Sequence, residues 1–249
     1  MTVRLAWLIG ALLLAVGLWR IDATPWRLLE GFSRLGFLVR LMLPPSDGGM
    51  LGTLLSAMAD TVAMAFLGTL LGAVVALPLA LLGAANVSPV WLLRFGLRRL
   101  WDGLRGIDAL IWALIFVSAV GMGPFAGVLA LAVPDIGTLS KLFNEAIEAA
   151  DRRQDDAIRA VGGSRLAVVR FGILPQVMPV LLSQVLYFFE ANVRSASAIG
   201  VVGAGGIGLA LSENLRLNNW DQVAFIILLI LVAVSLIDTV SRRIRRRLT

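Results

Sequence analysis

The sequence predicts an all-α, polytopic membrane protein with about six transmembrane helices. Of its 249 residues, 59% are hydrophobic and only 15% are charged, and the mean hydropathy is +0.88. A soluble domain carries charge on roughly a quarter of its residues. The apolar residues come in long blocks rather than in alternation, which favours spanning helices over a β-barrel.

The residue types that the chain lacks narrow its possible chemistry. It contains no cysteine and no histidine, which excludes disulfides, Cys or His metal sites, a Ser-His-Asp triad and a histidine proton shuttle. No metal site is predicted. The net charge of +6 comes from basic residues at the edges of apolar blocks. That pattern is typical of membrane topology and not of a nucleic-acid partner.

Residues 1–50 are predicted to form an N-terminal transmembrane helix and an amphipathic interfacial segment. Leu5 to Trp19 is apolar and flanked by arginines. A short basic start is also typical of a signal peptide, but large residues stand where a cleavage site needs small ones. We therefore interpret this stretch as an uncleaved first span. Ile21 to Gly49 mixes arginines with aromatic and aliphatic residues, which predicts an interfacial helix that ends at Pro44-Pro45.

Residues 51–249 supply five further predicted spans. They are Leu51 to Ala85, Ile107 to Val120, Phe125 to Phe143, Val177 to Val202 and Val223 to Asp238. In the first of these, small residues at Gly68, Gly72 and Ala76 are spaced to let another helix approach closely. Asn86 to Arg105 is predicted to be a charged loop.

The glycine-rich stretch Val201 to Gly208 predicts a bend after the fifth span. Its glycine spacing is similar to a dinucleotide-binding fingerprint, but no strand of a βαβ unit precedes it. We therefore reject nucleotide binding at this stretch. Leu209 to Asn219 is polar and is expected to face outward.

The positions of the basic residues predict the orientation in the membrane. With the amino terminus inside, fifteen basic side chains face the cytoplasm and five face outward. An excess of Lys and Arg on the cytoplasmic side is the general rule. Both termini and the loop after the fourth span are therefore predicted to be cytoplasmic.

That loop, Glu145 to Pro175, is the longest polar passage of the chain. It holds five acids and five arginines, with apolar residues still at helical spacing, which predicts a surface helix. Gly162-Gly163-Ser164 then ends the helix, because glycine fits the left-handed position after a helix end and serine caps the next helix. A short helix follows, and Pro175 is predicted to open the fifth span.

The loop resembles the EAA loop of ABC-importer permeases. Matching residues are Asp156-Ala157-Ile158, Gly162 and Leu174-Pro175. The family usually has glutamate at the place of Asp156 and isoleucine at the place of Gly172. The resemblance to the phosphonate-type permease subfamily runs from about residue 44 to the C-terminus, through the stretches Ile111 to Ala132, Leu174 to Gly208 and Leu215 to Ala224.

The resemblance implies a type I importer permease fold whose loop at 145–175 is a cytoplasmic coupling helix. It also implies a homodimer in the bacterial inner membrane, ATPase subunits that bind ATP and Mg, and a periplasmic substrate-binding protein. The chain has no Walker sequence and no cofactor of its own is expected, so ATP hydrolysis belongs to the partner. The residues implied to couple to the ATPase are Asp156, Ala157, Gly162, Gly163, Ser164, Leu174 and Pro175.

Polar residues within the fifth span are candidates for the solute pathway. Glu190 and Arg194 lie four apart, hence on one helix face, and charge inside a span is by default a functional hypothesis. A guanidinium suits an oxyanion, although the same two residues are also typical of an ion pair that only neutralises itself. The full candidate set is Glu190, Asn192, Arg194, Ser195 and Ser197, and its uncharged members are also typical of contacts between helices.

The substrate implied by the resemblance is phosphonate or a related phosphorus oxyanion such as phosphite. Two alternatives remain open. One is the same architecture for another small solute, such as methionine or an osmolyte, and a neighbouring binding-protein gene would discriminate between them. The other is a membrane-embedded enzyme with Glu190 and Asp135 as an acid–base pair. The missing histidine and cysteine disfavour it, and turnover by the purified chain alone would support it.

Overall fold

The computed structural model describes residues 2–22 and 24–248, and no strand occurs among them. This confirms the all-α prediction. The helices are α1 (Thr2–Arg20), α2 (Pro25–Leu41), α3 (Leu51–Gly83), α4 (Trp91–Arg105), α5 (Ala109–Val120), α6 (Pro124–Glu148), α7 (Arg152–Ala160), α8 (Arg165–Ala204), α9 (Gly206–Arg216) and α10 (Trp220–Leu248).

The two N-terminal helices are largely exposed. The hydroxyl oxygen of Thr24 caps α2 by accepting a hydrogen bond from the backbone N–H of Arg27 at 3.4 Å. Aromatic side chains such as Trp26 and Phe32 are uncovered, and arginines lie between them. This composition is typical of a helix at a lipid interface, and the interfacial position of the segment 21–49 stays a prediction.

Four helices, α3, α6, α8 and α10, are long and apolar enough to cross a membrane, and α4 with α5 would make a fifth as a pair bent by 85°. α5 alone has 12 residues, about 18 Å of helix. A crossing needs roughly 30 Å. α5 would therefore need α4 to complete a crossing, and the third span at Ile107 to Val120 and the count of six spans both stay predictions.

The centre of the bundle is the parallel pair α3 and α6, which pack through small residues. A Cβ atom on Gly68 would lie 2.9 Å from Leu131 Cβ, and one on Gly72 would lie 2.8 Å from Asp135 Cβ. Side chains at these positions would force the helices apart. The predicted close approach of α3 to another helix is confirmed. Two apolar clusters then surround this pair, one towards each end of α3.

The interpretation of Asn86 to Arg105 as a charged loop is wrong, because residues 91–105 form the amphipathic helix α4. Trp101 is buried between α3 and α6, and its ring fills the space that a side chain at Gly83 would need. The four arginines of this stretch favoured the prediction of a loop, although apolar residues recur between them at helical spacing.

The loop between α6 and α8 also departs from its prediction in one place. A single surface helix was expected from Glu145, but α6 continues to Glu148 and a break separates it from α7. Pro175 lies in the first turn of the α-helical part of α8, Leu174–Ile199, as predicted, although that part is joined without a gap to the helical residues from Arg165 onward. A π-helical stretch, Val168–Ile173, precedes the proline, and such irregular turns let a helix continue past a residue that cannot donate a hydrogen bond.

The predicted bend after the fifth span is confirmed. α8 ends in a second π-helical stretch, Gly200–Ala204, and Gly203, Gly205 and Gly206 have positive φ angles. A Cβ atom on Gly208 would lie 2.8 Å from the Cα atom of Gly200. Glycine is therefore required here both for backbone conformation and for close contact of the two helices.

Candidate functional site

A compact knob of residues 151–173 projects between α6 and the membrane part of α8. Its turn is a complete Schellman motif: the N–H of Gly163 donates to Ile158 O at 2.9 Å, and the N–H of Gly162 donates to Arg159 O at 3.0 Å. Gly162 has φ +85°, as this motif requires. The Ser164 hydroxyl oxygen then accepts from the N–H of Ala167 at 3.3 Å and caps α8, as predicted.

The tip of the knob exposes apolar side chains beside charged ones. Val161 and Leu166, on either side of the turn, are 85% and 81% exposed. Asp156 and Ala157 are also exposed on α7. Large apolar side chains at the tip of a polar projection mark an interaction surface. The knob can therefore dock into an apolar recess with a charged rim.

Polar contacts fix the knob to the helices behind it. Gln176, on α8, accepts a hydrogen bond from the N–H of Asp151 at 3.0 Å and donates to Gly172 O at 2.8 Å. Glu148 accepts from the N–H of Ala85 and from Arg98, both at 2.8 Å. These bonds join the knob directly to α8, and Glu148, just before the knob in the chain, joins the end of α6 to α4 and to the residue after α3. Leu174 and Pro175 lie just behind it, half-buried and exposed respectively.

Asp155 is the buried acid of the knob, and its spacing in the sequence does not single it out from the other acids of the loop. Its Oδ1 atom makes no hydrogen bond with any described residue. A Cβ atom on Gly172 would lie 2.8 Å from that oxygen. Burial raises the pKa of Asp155 above its usual value, and Arg159 opposes the shift. The departure from isoleucine at Gly172 thus has a local reason, because the space is taken by a carboxyl group.

In the membrane part of α8, Glu190 and Arg194 form the predicted pair at 3.5 Å. A third member is new: Arg245, near the end of α10, lies 3.0 Å from the other Glu190 carboxylate oxygen. Glu190 is buried, whereas the Arg194 side chain is 53% exposed. The structure therefore supports an ion pair for Glu190 and leaves the Arg194 guanidinium open to an anion.

The other candidates on α8 point in different directions. Asn192 is buried and donates to Asp135 Oδ2 on α6 and, at 2.8 Å, to Thr69 Oγ1 on α3. We call Thr69, Asp135 and Asn192 the membrane polar cluster. Ser197 donates within its own helix to Val193 O at 3.2 Å, and Ser195 is half-buried. Of the five candidates, only Arg194 presents an exposed side chain.

Asp135 is therefore not placed to act with Glu190 as an acid–base pair, because each acid is bonded to a different partner. Among the described residues, no group of three or more acids could hold a metal ion. What the two sites present is an exposed guanidinium at Arg194 and exposed apolar side chains at the tip of the knob. Neither requires a cofactor on this chain.

The chain is similar in sequence to known membrane proteins. Residues 72–249 match the family described as the inner membrane component of binding-protein-dependent transport systems. The putative phosphite transport system permease protein HtxC of Stutzerimonas stutzeri is 39% identical over 94% of this chain and 82% of that protein. The phosphite transport system permease protein PtxC of the same organism is 38% identical over 98% of this chain and 88% of its own length.

Among solved structures, the inward-facing MetNI methionine ABC transporter in its CY5 native crystal form has a similar chain. The TM-score is 0.69 at 24% identity, with 82% of this chain and 99% of that chain covered. At this identity the likeness shows the fold alone. It confirms the expected type I importer permease fold.

Proposed function

Because the chain belongs to the family of inner membrane components of binding-protein-dependent transport systems, we propose that it is the permease subunit of an ATP-driven importer of phosphonate or phosphite. The observation that carries the proposal is the 38–39% identity to two phosphite permeases over nearly the whole chain. The chain is a transport subunit and not an enzyme.

We propose that the knob is the surface that docks on the ATPase. Its exposed Val161 and Leu166 supply the apolar contact. Its bond to Gln176 of α8 and its chain connection to Glu148, which is bonded to Ala85 and Arg98, transmit the movement. ATP binding would close the ATPases, shift the knob and rock the spans between outward and inward openings. In this arrangement the termini and the knob face the cytoplasm, and a substrate-binding protein delivers the solute from the periplasm.

The pathway would lie between this chain and a second permease copy, as a homodimer. Mass measurement of the assembled complex tests this point. A complex with two copies of this chain differs in mass and in peptide content from a complex with one copy and a different permease. A different permease in the second place would replace the homodimer and leave the transport function unchanged.

Uptake of radiolabelled phosphite, a phosphonate and methionine by cells that express the whole transport system tests the substrate class. Phosphite or phosphonate uptake is expected. Methionine uptake alone would contradict the proposal and would favour the alternative solute class. Because the binding protein does much of the discrimination in such systems, its ligand affinities are measured in parallel.

The role of Arg194 is tested in the same cells. Arg194→Ala is expected to lower phosphite uptake at least about tenfold, since a charge-assisted contact to an anion is lost. Arg194→Lys is expected to restore part of it, because the charge returns without the planar fork. Arg216→Ala, an exposed arginine on α9, is the matched control. Full uptake by Arg194→Ala at normal expression would remove Arg194 from the pathway.

The coupling role of the knob is tested at its turn. A β-branched residue resists the positive φ of Gly162, so Gly162→Val is expected to weaken ATPase attachment and uptake together. Gly49→Val is the matched control, because Gly49 also has positive φ and, like Gly162, no atom within 4 Å of an added Cβ, but lies before α3. Normal ATPase pull-down and normal uptake in Gly162→Val would show that the knob does not couple.

A further inference from the structure

α4 has two exposed surfaces of opposite character side by side. Trp91 and Leu92 are 66% and 71% exposed, and Phe95 is also uncovered. Arg94, Arg98 and Arg99 follow within the same two turns. Apolar side chains next to a row of cations are typical of a helix at a membrane surface. The described residues leave this face of α4 unpacked.

The start of α4 lies at the knob end of the bundle. Arg98 bonds to Glu148, the last residue of α6, and Ala85, just after α3, bonds to the same carboxylate. At 85° to α5, α4 does not continue the direction of that helix. The basic face therefore lies where the spans α3 and α6 leave the membrane.

A cavity of about 330 Å³ opens on this face, between the first turns of α4 and residues Ala85 and Glu148. Its cations are Arg94, Arg98 and Arg99. Glu148 is the one acid that lines it and is already bonded to Arg98. The Nε atom of Arg94 is buried and makes no hydrogen bond with any described residue. The cavity thus has an excess of positive charge and an unused donor.

Aromatic rings form the apolar side of the same cavity. The rings of Trp91 and Phe95 stack with centroids 5.6 Å apart, and the Arg99 guanidinium lies 5.3 Å from the centre of the Phe95 ring. Tryptophan is enriched at the level of lipid headgroups, where one end of the ring is apolar and the other is wet. The occupant must therefore be both anionic and apolar.

We propose that this cavity binds an anionic phospholipid of the leaflet on the knob side. The headgroup phosphate contacts Arg94 and Arg99, and the acyl chains cover Trp91, Leu92 and Phe95. Basic pockets between helices at a membrane surface bind anionic headgroups in this way. A free oxyanion would satisfy the arginines but leave the apolar side chains bare. The proposal rests on insertion in a membrane and is independent of which solute is transported.

The first test measures the lipid that the assembled transporter retains in mild detergent, by quantitative lipid mass spectrometry. Retained phosphatidylglycerol is expected to fall about fivefold for each arginine removed, in Arg94→Gln and Arg99→Gln. Retained phosphatidylethanolamine is expected to stay constant. Arg153→Gln is the matched control, since Arg153 is exposed on α7 and does not line the cavity, whereas Arg105 shares its partner Asp102 with Arg99. Equal retention in all variants would overturn the proposal.

The second test separates a lipid from a protein occupant and uses the absence of cysteine. An environment-sensitive fluorophore on Leu92→Cys is compared in lipid discs with and without phosphatidylglycerol. A blue shift that needs phosphatidylglycerol, and not the ATPase, is expected. A shift that appears only when the ATPase is added would overturn the proposal and assign the face to that subunit. Solute uptake is followed in every variant, so that lost lipid with normal uptake leaves the transport function standing.

Discussion

Two buried aspartates, one in the membrane part of the protein and one in the knob, differ in their hydrogen bonding. Asp135 on α6 accepts a hydrogen bond from Asn192, which also donates to Thr69. Asp155 on α7 is equally buried, but its Oδ1 atom has no hydrogen-bond partner among the described residues. The carboxyl group of Asp135 is part of a hydrogen-bonded network between three helices. The carboxyl group of Asp155 is buried, but its Oδ1 atom is not hydrogen-bonded to any described residue.

The difference reflects what each region has to do. A polar group inside a membrane span has no contact with water and needs a hydrogen-bond partner in the protein, because an unpaired buried group costs free energy. The three spans that meet at the membrane polar cluster therefore have one defined relative position. The knob lies outside the membrane, where water and a partner protein are available at its surface. An imperfectly bonded acid costs less in that region.

Among these tests, the largest loss of stability is expected for Asp135→Ala. Alanine keeps the Cβ atom that Gly72 contacts and removes only the carboxyl group. The amide of Asn192 then loses an acceptor, which is expected to cost about 2 kcal/mol of stability. The measurement is thermal unfolding of the purified protein in detergent. Asp155→Ala, the matched change in the knob, is expected to cost much less, and equal losses would contradict the comparison.

Asp135→Asn refines the same test. An asparagine at this position still offers an oxygen to Asn192, so most of the stability is expected to remain. If Asp135→Asn is as damaging as Asp135→Ala, then the charge of the carboxyl group matters and the hydrogen bond alone does not account for the cluster.

A smaller effect is expected from Gly172→Ala in the knob. Its new Cβ atom would lie 2.8 Å from Asp155 Oδ1 and 3.2 Å from Ile158 Cδ1, and such overpacking costs on the order of 1 kcal/mol. Combining it with Asp155→Ala removes the crowded oxygen and is expected to recover the loss. A double-mutant cycle on thermal stability measures this coupling. Additive losses would show that the two residues do not share the space.

The smallest effect is a dependence of knob stability on pH. Burial raises the pKa of Asp155 above 3.8, the nearby Arg159 and Arg152 lower it, and Asp156 and Asp151 raise it. A raised folded-state pKa means that the folded protein binds the proton first. Stability is therefore expected to increase as the pH falls through that raised pKa towards 3.8, and to change no further below it. Hydrogen exchange of α7 in the native protein and in Asp155→Asn checks this, and an identical pH response would contradict it.

Local features of the knob could be predicted from the sequence, whereas its contacts could not. The turn at Gly162 and the cap at Ser164 depend on residues within five positions of each other, so their chemistry determines their conformation. The bonds of Asn192 to Asp135 and of Glu190 to Arg245 join residues 57 and 55 positions apart. No spacing rule in one sequence identifies such partners.

The error at α4 has a different cause. Its four arginines fitted the rule for cytoplasmic loops, and that rule does not distinguish a loop from a helix lying at the same membrane surface. The apolar periodicity of Leu93, Leu97 and Trp101, each four residues apart, carried the missing information. Reading both patterns together would have predicted an amphipathic helix at this position.

The length of α8, which continues through two π-helical stretches, has a mechanical consequence. Asn192 lies 27 residues after Arg165 and 12 residues before Ala204, which corresponds to arms of about 40 Å and 18 Å along the helix. If the membrane polar cluster is the fulcrum, α8 is a lever with unequal arms. When the knob moves, the glycine bend then moves by less than half that distance. The force at the bend is more than twice the force applied at the knob. Paired distance measurements with spin labels at Leu166→Cys and Val201→Cys, each against α3, would give that ratio directly.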